Sequence, residues 1–121
     1  MEMNISEQLA PPAEMADLLK AMGHPTRLLI LNLLRAGELC VCHLERMVDR
    51  RQAYVSQQLM VLREAGLVAT RRDGLQVYYR LDDPRIELVL TAAGAPPAVA
   101  ATPIAGCPCR LCTTIPIANI G

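Results

Sequence analysis

The residues with the most specific chemistry in this chain are its five cysteines, which lie in two groups. Cys40 and Cys42 are one residue apart in "ELCVCHL", and Cys107, Cys109 and Cys112 form a C-x-C-x2-C cluster. Soft thiolates select soft ions. The two groups therefore predict that all five cysteines bind a thiophilic metal or metalloid ion as an effector, with no organic cofactor.

The amino-terminal segment and the overall composition predict a cytoplasmic protein. The start, "MEMNISEQLAPPAEM", has no basic stretch followed by an apolar one, so no signal peptide is expected. The apolar runs are too short for a membrane span, so we expect no membrane partner. An odd number of cysteines in a reducing compartment favours metal binding or redox sensing over a disulfide framework.

Charge is balanced over the 121 residues but not along them. The net charge is zero, yet residues 46–80 contain seven arginines and three acidic residues, which gives 7 − 3 = +4. A neutral protein with one basic stretch can still bind an anion on one face. The chain has no Trp and no Phe, so its core must be aliphatic.

Hydrophobic periodicity predicts mostly helices with one small hairpin. A period of 3.6, with Pro and Gly at the ends, predicts helices over 11–23, 24–37, 38–48, 52–66 and 82–94. Asp73-Gly74 between alternating segments predicts a hairpin of 67–72 and 75–81. Residues 1–11 are expected to lack regular structure. Within a regular helix 38–48, Cys40 and Cys42 would point about 200° apart.

The order of these elements is that of a winged helix-turn-helix domain, in which the second helix of the motif enters the major groove. The outward residues of 52–66 would reach bases, and the hairpin would form the wing. We predict DNA contacts from nine residues: Arg51, Gln52, Tyr54, Ser56, Gln57, Gln58, Arg71, Arg72 and Gln76. Residues 1–94 would form this domain, and 95–121 a flexible Ala/Pro linker and cysteine-containing tail.

Three segments together carry a resemblance to a known family. "GHPTRLLILNLL", "ELCVCHL" and "VSQQLMVLREAGLVATRRDGLQVYYRL" closely resemble the ArsR/SmtB metalloregulatory repressors over roughly residues 15–92. The resemblance implies a homodimer built through the first and last helices. It also implies binding to an inverted-repeat operator in double-stranded DNA, and release when a metal or metalloid binds.

The chain departs from that family pattern at several positions. His43 stands where the cysteine box commonly has Asp, and we expect a surface or capping role for it. Glu45 stands where arsenic-type members have a third Cys, and Arg51 replaces a capping Ser. The last predicted helix has acids but no His, which argues against a zinc site there. The tail cysteines would therefore complete the ligand set that the box begins.

The effector and its mechanism are left with alternatives. Arsenite or antimonite is our first prediction for the inducer, and cadmium or lead the second. If Cys40 and Cys42 both bind one ion, the first turn of their helix would have to distort, which would act on the recognition helix. Alternatively only one of the two binds, and the tail completes the site without distortion. A repressor that senses oxidant or reactive sulfur through the same thiols is the alternative. A metal-sequestering protein without DNA binding is a further one, and an enzyme is not expected.

Overall fold

The fold consists of helices around an aliphatic core, with a small antiparallel sheet at one side. The computed structural model describes residues 4–102, 104, 106, 107 and 112. In these residues the helices are α1 (Ile5–Leu9), α2 (Ala13–Met22), α3 (Pro25–Leu33), α4 (Val41–Val48), α5 (Gln52–Glu64) and α6 (Arg85–Ala92). The strands are β1 (Leu39–Cys40), β2 (Val68–Asp73) and β3 (Gln76–Leu81). This order confirms the predicted winged helix-turn-helix fold.

The core is built from Leu, Ile, Val, Met and Ala, as the composition requires. Ile30 and Leu31 of α3, Leu44 of α4 and Leu62 of α5 are fully buried in one cluster. Burying such a side chain stabilises the fold by about 1.5–3 kcal/mol. These contacts fix the positions of α4 and α5, the two helices of the motif, against α3.

The cysteine segment differs from the predicted helix 38–48. Leu39 and Cys40 form strand β1, and α4 begins only at Val41. Cys40 is the N-cap residue of α4, with φ −73° and ψ 158°, and its Sγ accepts a hydrogen bond from the His43 N–H at 3.2 Å. The helical prediction was wrong here because β1 depends on a strand far away in the sequence.

The sheet has the order β1-β3-β2 and is antiparallel throughout. Arg71 of β2 lies opposite Tyr78 of β3, and Tyr78 lies opposite Cys40 of β1. Directly opposite residues share one face of a sheet. Arg71, Tyr78 and Cys40 therefore form one row across the three strands, which we call the cross-strand row.

The turn between α4 and α5 is tight. Asp49 ends α4 in the left-handed conformation with φ 55°, and α5 begins at Gln52. Arg51 is the N-cap residue of α5 and makes no side-chain capping hydrogen bond, as its type leads one to expect.

The amino-terminal segment contains more structure than predicted. Residues 5–9 form α1, whose N-cap Asn4 accepts a hydrogen bond from the Ser6 N–H at 3.1 Å, although residues 1–11 were expected to lack regular structure. In the described part of the chain, none of the helices combines the length and the apolar character that crossing a membrane requires.

Candidate thiol site and nucleic-acid interface

Three of the five cysteines meet in one cluster. The Sγ atoms of Cys40, Cys42 and Cys107 all lie within 4.8 Å of one another. Cys107 Sγ is 2.7 Å from Cys42 Sγ and 3.5 Å from Cys40 Sγ. We call this group the thiol site. Sulfurs bound to one ion at about 2.3 Å lie about 3.8 Å apart at the tetrahedral angle, so rearrangements on the order of 1 Å would suffice to hold an ion.

The local backbone explains why Cys40 and Cys42 can face one ligand. Cys40 is extended and precedes α4, whereas Cys42 lies in the first turn of the helix. The separation of about 200° applies only to two residues inside a regular helix. The expected distortion of the first turn is therefore not needed, because Cys40 is not helical.

The tail reaches the thiol site along the surface of the domain. Arg35 donates to the Pro96 carbonyl at 2.5 Å and forms a two-pronged ion pair with Glu87, both bonds at 2.7 Å. Ala95 and Ala101 pack against the main core, and Cys107 is buried beside Tyr78. The predicted division of the chain at residue 94 stays a prediction.

Cys112 lies beside His43 instead of completing the three-sulfur group. Its Sγ is 3.6 Å from His43 Nδ1 and accepts a hydrogen bond from the Ile104 N–H at 3.2 Å. His43 is fully buried, so the expectation of a surface role was wrong. Burial lowers the pKa of His43, because desolvation disfavours the imidazolium. Cys109 lies outside the described residues, and its role as a ligand stays a prediction.

Most of the predicted base-reading residues lie on the exposed side of α5. Gln52, Ser56 and Gln57 are exposed, and so is Arg51 just before the helix. Tyr54 is half-buried: its hydroxyl lies 3.2 Å from Thr26 Oγ1 and 3.4 Å from His24 Nε2. Three amide or hydroxyl side chains at the start of one helix form a surface of the kind that reads base edges.

Gln58 does not share this surface. It is only 8% exposed, and its Oε1 accepts a hydrogen bond from Arg27 Nη1 at 2.9 Å. Arg27, a residue of α3, also donates hydrogen bonds to the carbonyls of Ala21 and Lys20. These bonds connect α3 to the end of α2, and the bond to Gln58 connects α3 to α5. The prediction that Gln58 contacts DNA does not fit this position, because its amide is already engaged inside the domain.

The three predicted wing residues differ in their surroundings. Arg72 is exposed. Gln76 is half-buried, with its Oε1 3.9 Å from Cys42 Sγ. Arg71 is exposed but pairs with Glu38, and its guanidinium carbon lies 4.5 Å above the Tyr78 ring.

Sequence reasoning missed Glu38 and expected the wrong surroundings for His43. Glu38 carries no motif of its own, and its pairing with Arg71 arises only when β1 joins the sheet. His43 has the i+3 relation to Cys40 that places its N–H at the capping thiol. Its contact with Cys112 joins residues far apart in the sequence, which local patterns do not indicate.

Comparisons with known proteins identify the family. The sequence pattern described as "Bacterial regulatory protein, arsR family" matches residues 24–70. The biofilm growth-associated repressor of Agrobacterium fabrum is 47% identical over 79 residues, which are 65% of this chain and 68% of that repressor. The chain belongs to the ArsR family. This confirms the resemblance found in the sequence.

Two further relatives of this ArsR-family chain bear on its fold and function. The arsenic resistance transcriptional regulator ArsR1 of Pseudomonas putida is 40% identical over 79 residues, 64% of this chain and 59% of that one. The structure of the transcriptional repressor BigR from Xylella fastidiosa has a TM-score of 0.66 at 39% identity and covers 74% of this chain and 92% of its own. The chain is thus a DNA-binding transcriptional repressor and not an enzyme.

Gln57 and Gln58 provide a matched pair of variants. Gln57→Ala should weaken specific DNA binding by about 1–3 kcal/mol, the range of one base contact, and leave the stability unchanged. Gln58→Ala should lower the free energy of unfolding by about 1–2 kcal/mol, because Arg27 loses an acceptor, and leave base specificity intact. DNA titrations and urea unfolding of both variants measure the two effects. An exchange of the two outcomes would contradict this assignment.

Proposed function

We propose that this ArsR-family repressor senses a thiophilic metal or metalloid at the thiol site and then releases its operator. Trivalent arsenic or antimony is the first candidate, and cadmium or lead the second. The observation that carries the proposal is the grouping of the Cys40, Cys42 and Cys107 sulfurs within 4.8 Å. Among the residues that the structure describes, the group consists of thiols alone, and soft thiolates select soft ions.

The number of sulfurs supports the choice of ion. Three sulfurs suit a trivalent arsenic or antimony centre, whose lone pair occupies the fourth direction. Zinc in structural sites usually takes four ligands in a tetrahedron. The name of the Pseudomonas relative, an arsenic resistance regulator, agrees with this order of candidates.

The release of DNA follows from thermodynamic linkage. If the ion binds the DNA-free form more tightly, it weakens DNA binding by the same factor, typically about 5- to 150-fold. Cys40 lies in the same sheet as the wing strands, so the thiol site and the wing share one element. In this proposal the exposed residues of α5 read the operator, and wing arginines contact its phosphates.

We propose that the repressor acts as a homodimer on an inverted repeat. Large apolar side chains on α2 and α6 support this: Met15, Leu19 and Leu88 are 48%, 45% and 71% exposed. They line a groove between the two helices. Exposed apolar patches of this kind are typical of association surfaces.

Replacing each cysteine of the thiol site tests the sensor. Cys40→Ser, Cys42→Ser and Cys107→Ser should keep DNA affinity but lose release by arsenite, because a hydroxyl is a hard donor. The measurement is DNA binding by fully reduced protein, titrated with arsenite, antimonite, cadmium and lead. The probe is the DNA upstream of its own coding sequence. If all three variants release DNA at the arsenite concentration that releases it from the wild type, the proposed site is wrong.

Cys112 is proposed as a residue that positions the tail and not as a ligand. Cys112→Ser keeps a hydrogen-bonding group near His43, so three sulfurs per bound arsenic should remain. Cys112→Ala should weaken arsenite binding by about ten-fold, the lower range for loss of a supporting contact. X-ray absorption of the arsenite-loaded proteins counts the sulfurs. A count of two in Cys112→Ser would instead make Cys112 a ligand.

A redox sensor is the second candidate, and one distance favours it. Cys42 and Cys107 Sγ lie 2.7 Å apart, and a disulfide requires about 2.05 Å. Hydrogen peroxide would accept two electrons and two protons from the two thiols, which leaves a disulfide and two waters. If this is the function, peroxide should release DNA from the wild type but not from Cys42→Ser, with loss of two hydrogens in the mass. Release by arsenite under full reduction, without release by peroxide, would exclude it.

A further inference from the structure

Arg71, a predicted wing contact to DNA, is already paired with an acid of its own chain. Its Nε lies 2.9 Å from both carboxylate oxygens of Glu38, and its Nη2 also donates to Glu38 Oε1. This pairing lowers the pKa of Glu38, chiefly through the hydrogen bonds from Arg71. The carboxylate therefore stays ionised at neutral pH and keeps its attraction for the guanidinium.

The geometry of this pair is the one that a phosphate would require. An arginine fork binds carboxylate and phosphate in the same two-pronged manner, so Glu38 and a DNA phosphate use the same donors. Both side chains are partly exposed, Arg71 at 42% and Glu38 at 33%. Exposed ion pairs are weak, so Arg71 can exchange one anion for the other at little cost.

The pair is also connected to the thiol site through the cross-strand row. The Arg71 guanidinium stacks over Tyr78, and Tyr78 packs in one cluster with Cys40, Cys107 and Cys112. Glu38 directly precedes β1, two residues before Cys40. An ion bound by both Cys40 and Cys107 would restrict the Tyr78 ring that packs against them and the start of β1, and with them both contacts of Arg71.

We propose that Glu38 competes with DNA for Arg71, and that an occupied thiol site strengthens the hold of Glu38. Arg71 then contacts phosphate in the ion-free repressor and returns to Glu38 when the ion binds. This inference rests on the proposed function for its ion-dependent part. Its first part concerns only Glu38, Arg71 and DNA.

The test is a set of DNA titrations over a range of salt concentrations. Glu38→Gln should tighten binding by about two- to five-fold, the range of an exposed ion pair. It should also steepen the dependence of DNA affinity on salt, by up to about one additional released counterion, because Arg71 stays bound to the phosphate. The gain should vanish in an Arg71→Gln background and persist in an Arg72→Gln background, which is the matched control. Glu38→Gln should also reduce the ratio of DNA affinities without and with arsenite.

Any other result contradicts one of the two parts of the proposal, the competition for Arg71 or its connection to the thiol site. No gain for Glu38→Gln refutes the competition, and an equal gain in the Arg71→Gln background shows that Glu38 acts only as a general negative charge. An unchanged arsenite ratio, despite a gain that needs Arg71, overturns the connection to the thiol site. If arsenite releases no DNA from the wild type, the proposed metalloid sensing fails, while the gain in Glu38→Gln still decides the competition.

Discussion

The short pairing of β1 with β3 is the interaction on which the arrangement of this region depends. Two residues, Leu39 and Cys40, pair with Tyr79 and Tyr78. Because their backbone is extended, Cys40 becomes the N-cap residue of α4. The Cys40 sulfur then lies near the Cys42 sulfur. Without β1, a continuous helix would direct the two thiols to different sides. The same pairing makes Cys40 part of the sheet that carries the wing.

This placement changes the expected route from the thiol site to DNA. From the sequence, an ion bound by both Cys40 and Cys42 was expected to distort the first turn of the cysteine helix and thereby move the recognition helix. In the structure the first turn of α4 needs no distortion, since only Cys42 belongs to it. The cross-strand row offers a shorter route, because one strand lies between Cys40 and Arg71. Coupling between two sites requires an element that both can bias, and the three-stranded sheet is such an element.

Local patterns predicted the parts of the fold that depend on local interactions. The hairpin follows from Asp73-Gly74, and α5 from the spacing of Val55, Leu59 and Leu62. Residue type and spacing, together with the family resemblance, singled out Cys40 and Cys42 as candidate ligands. Strand β1 was missed because a two-residue strand is stabilised only by β3, more than thirty residues away. Gln58 shares the buried face of α5 with Val55 and Leu62, three and four residues away, so the helical period indicated its burial and only its bond with Arg27 was hidden. The contact of His43 with Cys112 joins residues far apart in the sequence, which no local period indicates.

The source of the third sulfur decides what kind of coupling is possible. Cys107 comes from the same chain as Cys40 and Cys42, along a tail that Arg35 holds at Pro96. A tethered thiol has a high effective concentration, so an ion can be captured without a second chain. Ion binding at such a site does not in itself tighten or loosen a dimer. In the proposed mechanism its effect on DNA travels inside one chain, from the sulfurs through Tyr78 to Arg71.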